Sequence, residues 1–247
     1  MNGGATVPFD ELEAISVLCR ERGVRLHCDG ARLWEVAGHY DKSYPELCAL
    51  FDSIYVSFYK GVGALSGAML LGPPQLITDA KIWQKRRGSN AFTFGPAALS
   101  CRRSLRRALD GTDLGFADRF QWLQRAVKTV QRLAASSDAA LFFDPPIPQS
   151  AMVHCYLHGE PELLEACHTR VREVTGVRLW NQIRGRGHGS LPQMKEFSSV
   201  SGERWCYFEW SAGPANATLS EDVVSRGWTA FFSELSLTHS AVAAAAP

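Results

Sequence analysis

A chain of 247 residues with 46% hydrophobic and 21% charged residues has the makeup of a folded globular protein, long enough for one large or two ordinary domains. Its 26 Lys and Arg against 25 Asp and Glu leave a net charge of +1, which excludes a nucleic-acid or membrane-surface role built on bulk electrostatics. Seven cysteines, at 19, 28, 48, 101, 155, 167 and 206, form no Cys-x-x-Cys pair and read as reduced thiols of a cytoplasmic protein. Met1-Asn2-Gly3-Gly4 lacks the basic and apolar regions of a signal peptide, and no segment reaches the length of a membrane span.

From the N-terminus, Phe9, Leu12, Ile15, Val17 and Leu18 predict a helix over Pro8 to Arg22, with Pro8 at its first turn and Gly23 at its C-cap. An apolar run from Val24 to Cys28 predicts a strand, Leu33 to Gly38 and Pro45 to Leu50 short helices, and Ile54 to Phe58 a second strand, beginning near Asp52. This alternation favours a parallel sheet. Ser66 to Leu71 predicts another strand, and Pro73-Pro74 opens a helix through Trp83 to Arg87, interrupted at Gly88-Ser89-Asn90. Helices follow over Pro96 to Leu109 and Leu114 to Ala135, the second with Phe116, Phe120, Leu123, Val127, Val130 and Leu133 as an apolar stripe.

Beyond Ala139 the expectations are a loop at Phe142-Phe143-Asp144-Pro145-Pro146, a strand over Met152 to Leu157, a helix over Glu162 to Thr175 and a strand over Val177 to Gln182. A last strand, Cys206 to Trp210, and helix, Val223 to Leu235, complete a small α+β domain. The domain plan is 1–112, a linking helix over 113–136, a small domain over 137–240, and an alanine-rich tail over 241–247 expected to be disordered or frayed. His154, Cys155 and His158 lack a second ligand pair, so no metal site is expected. Arg184-Gly185-Arg186-Gly187-His188-Gly189 reads as a loop rather than a nucleic-acid-binding repeat, and the arginine pairs at 86 and 87, 102 and 103, and 106 and 107 as solvated helix faces.

Chemistry concentrates after the first two strands, where Asp29-Gly30-Ala31-Arg32 follows one apolar run and Lys60 the other. Side chains just past the carboxyl ends of neighbouring parallel strands converge on one crevice. An amine and a carboxylate so placed suit pyridoxal 5'-phosphate, which needs a lysine for its aldehyde and an acid at its pyridine nitrogen. Lys60 and Asp29 are the candidates for those roles. Arg32 offers a planar fork suited to a substrate carboxylate. Gly61 and Gly63 let the backbone turn closely beneath a cofactor, and His27 is expected to point away from the Asp29 face.

The runs His27-Cys28-Asp29-Gly30-Ala31-Arg32-Leu33 and Phe51-Asp52-Ser53-Ile54-Tyr55-Val56-Ser57-Phe58-Tyr59-Lys60-Gly61, with Gly67 to Gly72 and the helix end from Trp83 to Gly88, resemble the L-threonine aldolase and aromatic amino acid β-eliminating lyase group of fold type I enzymes. The resemblance covers about the first 110 residues well. It implies the C-terminal part of an α/β, mostly parallel large domain followed by the small domain, in a homo-oligomer (dimer or tetramer) acting on an amino acid. It also implies that Lys60 and Asp29 hold the cofactor and catalyse, that Arg32 binds the substrate carboxylate, and that Ser57, three residues before Lys60, meets the cofactor phosphate, with Gly61 beside it.

The activity so implied is cleavage of a β-hydroxy amino acid to glycine and an aldehyde. The alternatives are β-elimination from an aromatic or sulfur amino acid, and a truncated, inactive homologue serving only as an interaction subunit. Family members carry an N-terminal portion with a glycine-rich phosphate loop, a ring that stacks on the pyridine and a histidine, and the chain is expected to begin inside the large domain, with apolar surface exposed. Two further departures are Phe92-Thr93, where aldolases show Arg-Gln, and the second carboxylate-binding arginine, for which Arg204 is the nearest residue.

Overall fold

The computed structural model describes residues 3–89, 92–137, 139–184 and 205–245, those after Thr238 by their backbone alone. Helix α1 (Phe9–Glu21) begins after Pro8 and ends before Gly23, whose φ of 65° is the left-handed conformation that a glycine adopts at little cost. It is tied down by polar bonds: Ser16 Oγ donates to the Leu50 carbonyl and Arg20 to the Ala49 carbonyl, each at 2.6 Å, while Ile15, Val17 and Leu18 stay exposed.

Strand β1 is His27–Gly30, displaced from the predicted Val24 to Cys28. Leu26 exchanges bonds with Asp52, its N–H donating to Oδ2 at 2.9 Å and its carbonyl accepting from the Asp52 N–H at 2.8 Å, so pairing with the next strand starts only at His27. A 3-10 turn (Leu33–Glu35) and helices α2 (Ala37–Tyr40) and α3 (Tyr44–Cys48) follow, the last held by a Ser43–Glu46 capping box.

Strand β2 (Ser53–Ser57) runs parallel to β1, with Asp29 opposite Tyr55, and β3 (Ala68–Leu71) returns antiparallel, with Tyr55 opposite Leu70. The sheet, in the order β1-β2-β3, is therefore mixed where alternation favours a mostly parallel one. The cause is local: residues 58–67 contain no helix, and a parallel return needs a crossover. Helices α4 (Pro74–Arg86) and α5 (Gly95–Leu109) follow. A small core gathers Phe58, Val62, Ala64, Ala108 and Phe116.

Helix α6 (Phe116–Ala135) joins two cores, for Phe116 belongs to the first while Leu123, Val127 and Val130 enter a larger one. There they meet a second, antiparallel sheet, β4 (Leu141–Asp144), β5 (Met152–His158) and β6 (Trp205–Ser211), with helices α7 (Pro161–Thr175) and α8 (Glu221–Ala245). Val153, Cys155 and Leu157 alternate into this core beside Leu164, Trp228 and Phe231.

Three expectations fail in this half. Phe142 to Asp144 is strand, not loop: Phe143 is buried while Phe142 stacks on Tyr156 at 4.5 Å, an alternation that Pro145-Pro146 disguises. Val177 to Gln182 is not a strand: the Leu179 N–H is taken by His168 Nε2 at 3.2 Å, and the sole bridge is Arg184 with Tyr207 among the described residues. The tail over 241–247 is helical through Ala245, as alanine's helix propensity permits. Gly185 to Gly189 and Arg204, with residues 246–247, lie outside the described residues. Among the described residues no helix is long and apolar enough to cross a membrane, and all seven cysteines are free.

His168 supplies a pH-dependent term. It is 1% exposed, its Nε2 accepts from Leu179, and its Nδ1 lies 3.4 Å from Glu165, whose other oxygen accepts from Trp180 Nε1. Burial lowers its pKa, with Arg172 and Arg178 acting the same way and Glu165 opposing. A folded pKa below the unfolded one means that stability is fully present above about 6.5 and is lost as pH falls through that window. The urea midpoint is expected to drop between pH 7.5 and 5.5, and to drop less in a His168→Gln variant. An equal drop in both proteins would assign the acid sensitivity to other groups.

Candidate active site

The site is laid out by the register of β1 and β2. Asp52 fixes it: besides the Leu26 bonds, its Oδ1 meets Arg25 at 2.7 Å, and these contacts hold its carboxyl below the usual range, the Leu26 N–H foremost. Parallel pairing then sets Asp29 beside Tyr55, and β2 ends shortly before Lys60. Asp29 is exposed and caps its own turn, Oδ1 accepting from the Ala31 N–H at 3.2 Å. Since β1 runs regularly to Gly30, His27 shares the Asp29 face, contrary to expectation, and meets Ser53 Oγ at 2.8 Å.

Lys60 is half-buried on a turn closed by its carbonyl and the Gly63 N–H at 2.8 Å, with Gly63 at φ 80°. Its ammonium lies 5.8 Å from the centroid of the Tyr59 ring. A line of hydroxyls leads from β2 to Tyr59. Ser57, fully buried, donates to Tyr55 Oη at 3.1 Å, and Tyr55 Oη lies 3.3 Å from Tyr59 Oη. Hydrogen bonding by Tyr55 and Ser57, helped by the Lys60 charge, holds the Tyr59 phenol below its ordinary pKa, while the Asp29 charge opposes the shift. The neighbouring Cys28 thiol is pushed up to about 11 by burial, Asp29 and Cys48, which keeps it protonated at neutral pH.

Arg32 is engaged twice. Its Nη1 donates to the Glu35 carboxylate at 3.2 and 3.4 Å, and its Nη2 reaches Glu209 Oε1 on β6 at 2.9 Å, tying the first sheet to the second. Glu35 is 3% exposed, and burial raises its pKa against the pull of Arg32. Its carboxylate lies against Gly61: a Cβ there would overlap Glu35 Oε1 and come within 2.9 Å of Cγ. Arg119, 1% exposed on α6, donates from Nη1 to the Gly61 carbonyl at 2.6 Å and from Nε to the Leu114 carbonyl at 2.8 Å. A cleft of about 400 Å³ opens beside β1, with Asp29, Arg32, Tyr40 and Thr6 in its wall.

Sequence reasoning overlooked Tyr55, Tyr59, Glu35, Arg119 and Glu209. Two of them leave a signal: Tyr59 adjoins Lys60, and Arg119 falls three residues after Phe116 and four before Leu123, on the apolar stripe where an unpaired charge is excluded. Phe92 and Thr93 are exposed.

The profile of the beta-eliminating lyase family matches residues 1–174. An inferred low-specificity L-threonine aldolase of Schizosaccharomyces pombe is 42% identical over 97 residues, 39% of this chain and 26% of that protein. The alanine racemase TOXG of Cochliobolus carbonum is 34% identical over 131 residues, 53% of this chain and 33% of that protein. A solved structure of a candidate L-allo-threonine aldolase from Listeria monocytogenes superposes with a TM-score of 0.77 at 33% identity, covering 94% of this chain and 58% of that one. The chain thus spans little more than half the length of that relative, and its matched stretches less of the others.

The two carboxylates on Arg32 differ in depth, with Glu35 2% and Glu209 38% exposed in their side chains. Replacing Arg32 by methionine strands a buried charge and is expected to cost about 3 kcal/mol, whereas Glu209→Gln removes a half-solvated pair worth about 1 kcal/mol or less. Denaturant titration of both variants checks this ordering, which equal losses would refute.

Proposed function

This chain belongs to the beta-eliminating lyase family, and from that premise we propose that it is a pyridoxal 5'-phosphate-dependent lyase that cleaves a β-hydroxy amino acid to glycine and an aldehyde. The observation that carries the reading is the parallel pairing of β1 with β2, which sets Asp29 opposite Tyr55 and leaves Lys60 on the turn just past the end of β2. The donor set suits the cofactor at both ends, an amine for its aldehyde and a carboxylate for its ring nitrogen. When bound, the cofactor supplies an electron sink for the charge left at Cα.

The chain's own residues then divide the work. Lys60 holds the cofactor through its ε-amine, and Asp29 holds a proton at the ring nitrogen. Ser57 offers its hydroxyl to the phosphate at the expense of its bond to Tyr55, and the lack of a side chain at Gly61 leaves room for the Glu35 carboxylate next to the Lys60 turn. Arg32 orients the substrate carboxylate. Glu209, on the exposed side of that guanidinium, is the partner that a substrate displaces, while Glu35 stays.

We read residues 1–112 as part of the cofactor-binding large domain, 113–136 as the link and 137–240 as a small α+β domain, which two sheets with separate cores support. A cytoplasmic setting accords with seven free cysteines. A homo-oligomer accords with the exposed Met69, Leu70, Leu71 and Trp83. β-Elimination is the second reading, favoured by the family's own description, and release of ammonia instead of glycine identifies it.

Addition of pyridoxal phosphate is expected to raise a visible absorbance band that Lys60→Ala abolishes. Asp29→Asn should retain some cofactor while losing about a hundredfold or more in turnover. A band that survives in the Lys60 variant rejects the assignment, and an Asp29→Asn enzyme with full turnover rejects the role of that carboxylate.

A further inference from the structure

Two buried charges that the proposed chemistry does not use meet at one peptide. The Glu35 carboxylate fills the space in which a side chain on Gly61 would stand, and Arg119 reaches the Gly61 carbonyl at 2.6 Å from the other element. They come from separate parts of the fold, Glu35 from the 3-10 turn after β1 and Arg119 from the first turn of α6. Each is braced in turn: Glu35 by Arg32, and Arg119 by the Leu114 carbonyl and by the Phe116 ring, 5.2 Å from its guanidinium carbon.

Gly61 follows Lys60 directly and lies inside the turn that joins the Lys60 carbonyl to the Gly63 N–H. The backbone on either side is also fixed, since Phe58 bonds both Ala64 and Gly67 and Val62 is 2% exposed. An exposed turn ordinarily samples several conformations, and a lysine on it carries four rotatable bonds of its own. Desolvating an arginine and a glutamate is costly. Here the outlay removes backbone freedom at the one peptide next to the amine.

We infer that Glu35 and Arg119 are positioning residues that grip the Gly61 peptide from two sides and so aim Lys60 at the crevice where Asp29 lies. Neither touches substrate or cofactor. The inference rests on the reading of Lys60 as the cofactor-holding amine, and it deepens that reading by naming what sets its direction.

The test uses the full chain with Gly61→Ala, Glu35→Ala, the double variant, Arg119→Lys and Glu35→Gln. Two quantities are read: hydrogen exchange at the Gly63 amide, which needs no cofactor, and the rate at which borohydride fixes a pyridoxyl group on Lys60, located by peptide mass. Gly61→Ala and Arg119→Lys are expected to speed Gly63 exchange and slow Lys60 labelling by about tenfold each. The alanine at 61 should cost far less when Glu35 is also alanine, and Glu35→Gln, equal in shape, should keep both quantities within about threefold of the parent.

Arg119→Lys and Glu35→Gln decide the matter if Gly61→Ala does not fold. Parent-like exchange and labelling in Arg119→Lys, with its melting unchanged, overturns the grip. A parent chain that takes no label, while Arg119→Lys still frees the Gly63 amide, removes the cofactor reading and leaves the mechanical grip in place.

Discussion

The pairing of β1 with β2 rests on Asp52, which answers both the N–H and the carbonyl of Leu26 and so starts the parallel register one residue later. The remainder of the site inherits that alignment. A slip of one residue would turn Asp29 to the opposite face and put Cys28, whose thiol stays protonated, beside Tyr55. Because the carboxylate of Asp52 accepts a backbone N–H and a guanidinium together, its charge is stabilised where it stands, and the register is paid for locally rather than by a large core. The first sheet has a small core, so such polar pins matter more there than in the second half.

Around this frame the charged groups sort by depth. Asp29 and Lys60, open to solvent in different degrees, keep access to small molecules, whereas Glu35 and Arg119 are shut away. Buried ions contribute little net stability, because desolvation offsets their attraction. What they give is direction, since a guanidinium with two carbonyl acceptors and a carboxylate packed on a glycine allow few alternatives. Arg32 belongs to both groups: one edge joins the buried Glu35, the other a partly solvated glutamate from the second sheet. On the proposed reading, a substrate carboxylate at Arg32 would compete with Glu209 and alter the tie between the sheets.

Much of this was legible in the residues. The helices at α1, α4, α5, α6 and α7 follow from apolar spacing and proline starts, because these signals act within one or two turns. Asp29, Arg32 and Lys60 stood out as candidates because they follow apolar runs, although β1 itself includes Asp29. What stayed hidden depends on contacts across the chain. Val177 to Gln182 has strand-like composition, yet His168, eleven residues earlier, captures the Leu179 N–H and leaves no ladder to join. Phe142 to Asp144 was obscured by two prolines although its neighbours across the sheet are only 10 to 14 residues away.

Glu35 and Arg119 illustrate the same limit from the side of function. Neither carries a motif: Arg119 bonds a backbone carbonyl that any residue could supply, and Glu35 fills space that a glycine at 61 leaves open. Their meaning arises only when α6 is folded against the turn after β1, with Phe116 in the first core and Leu123 in the second. That helix thus does more than connect: by anchoring in both cores it carries Arg119 to a fixed depth beneath the Lys60 turn. The geometry of the amine is in this way tied to packing in both halves of the protein, and a change in either core reaches the Lys60 turn through Arg119.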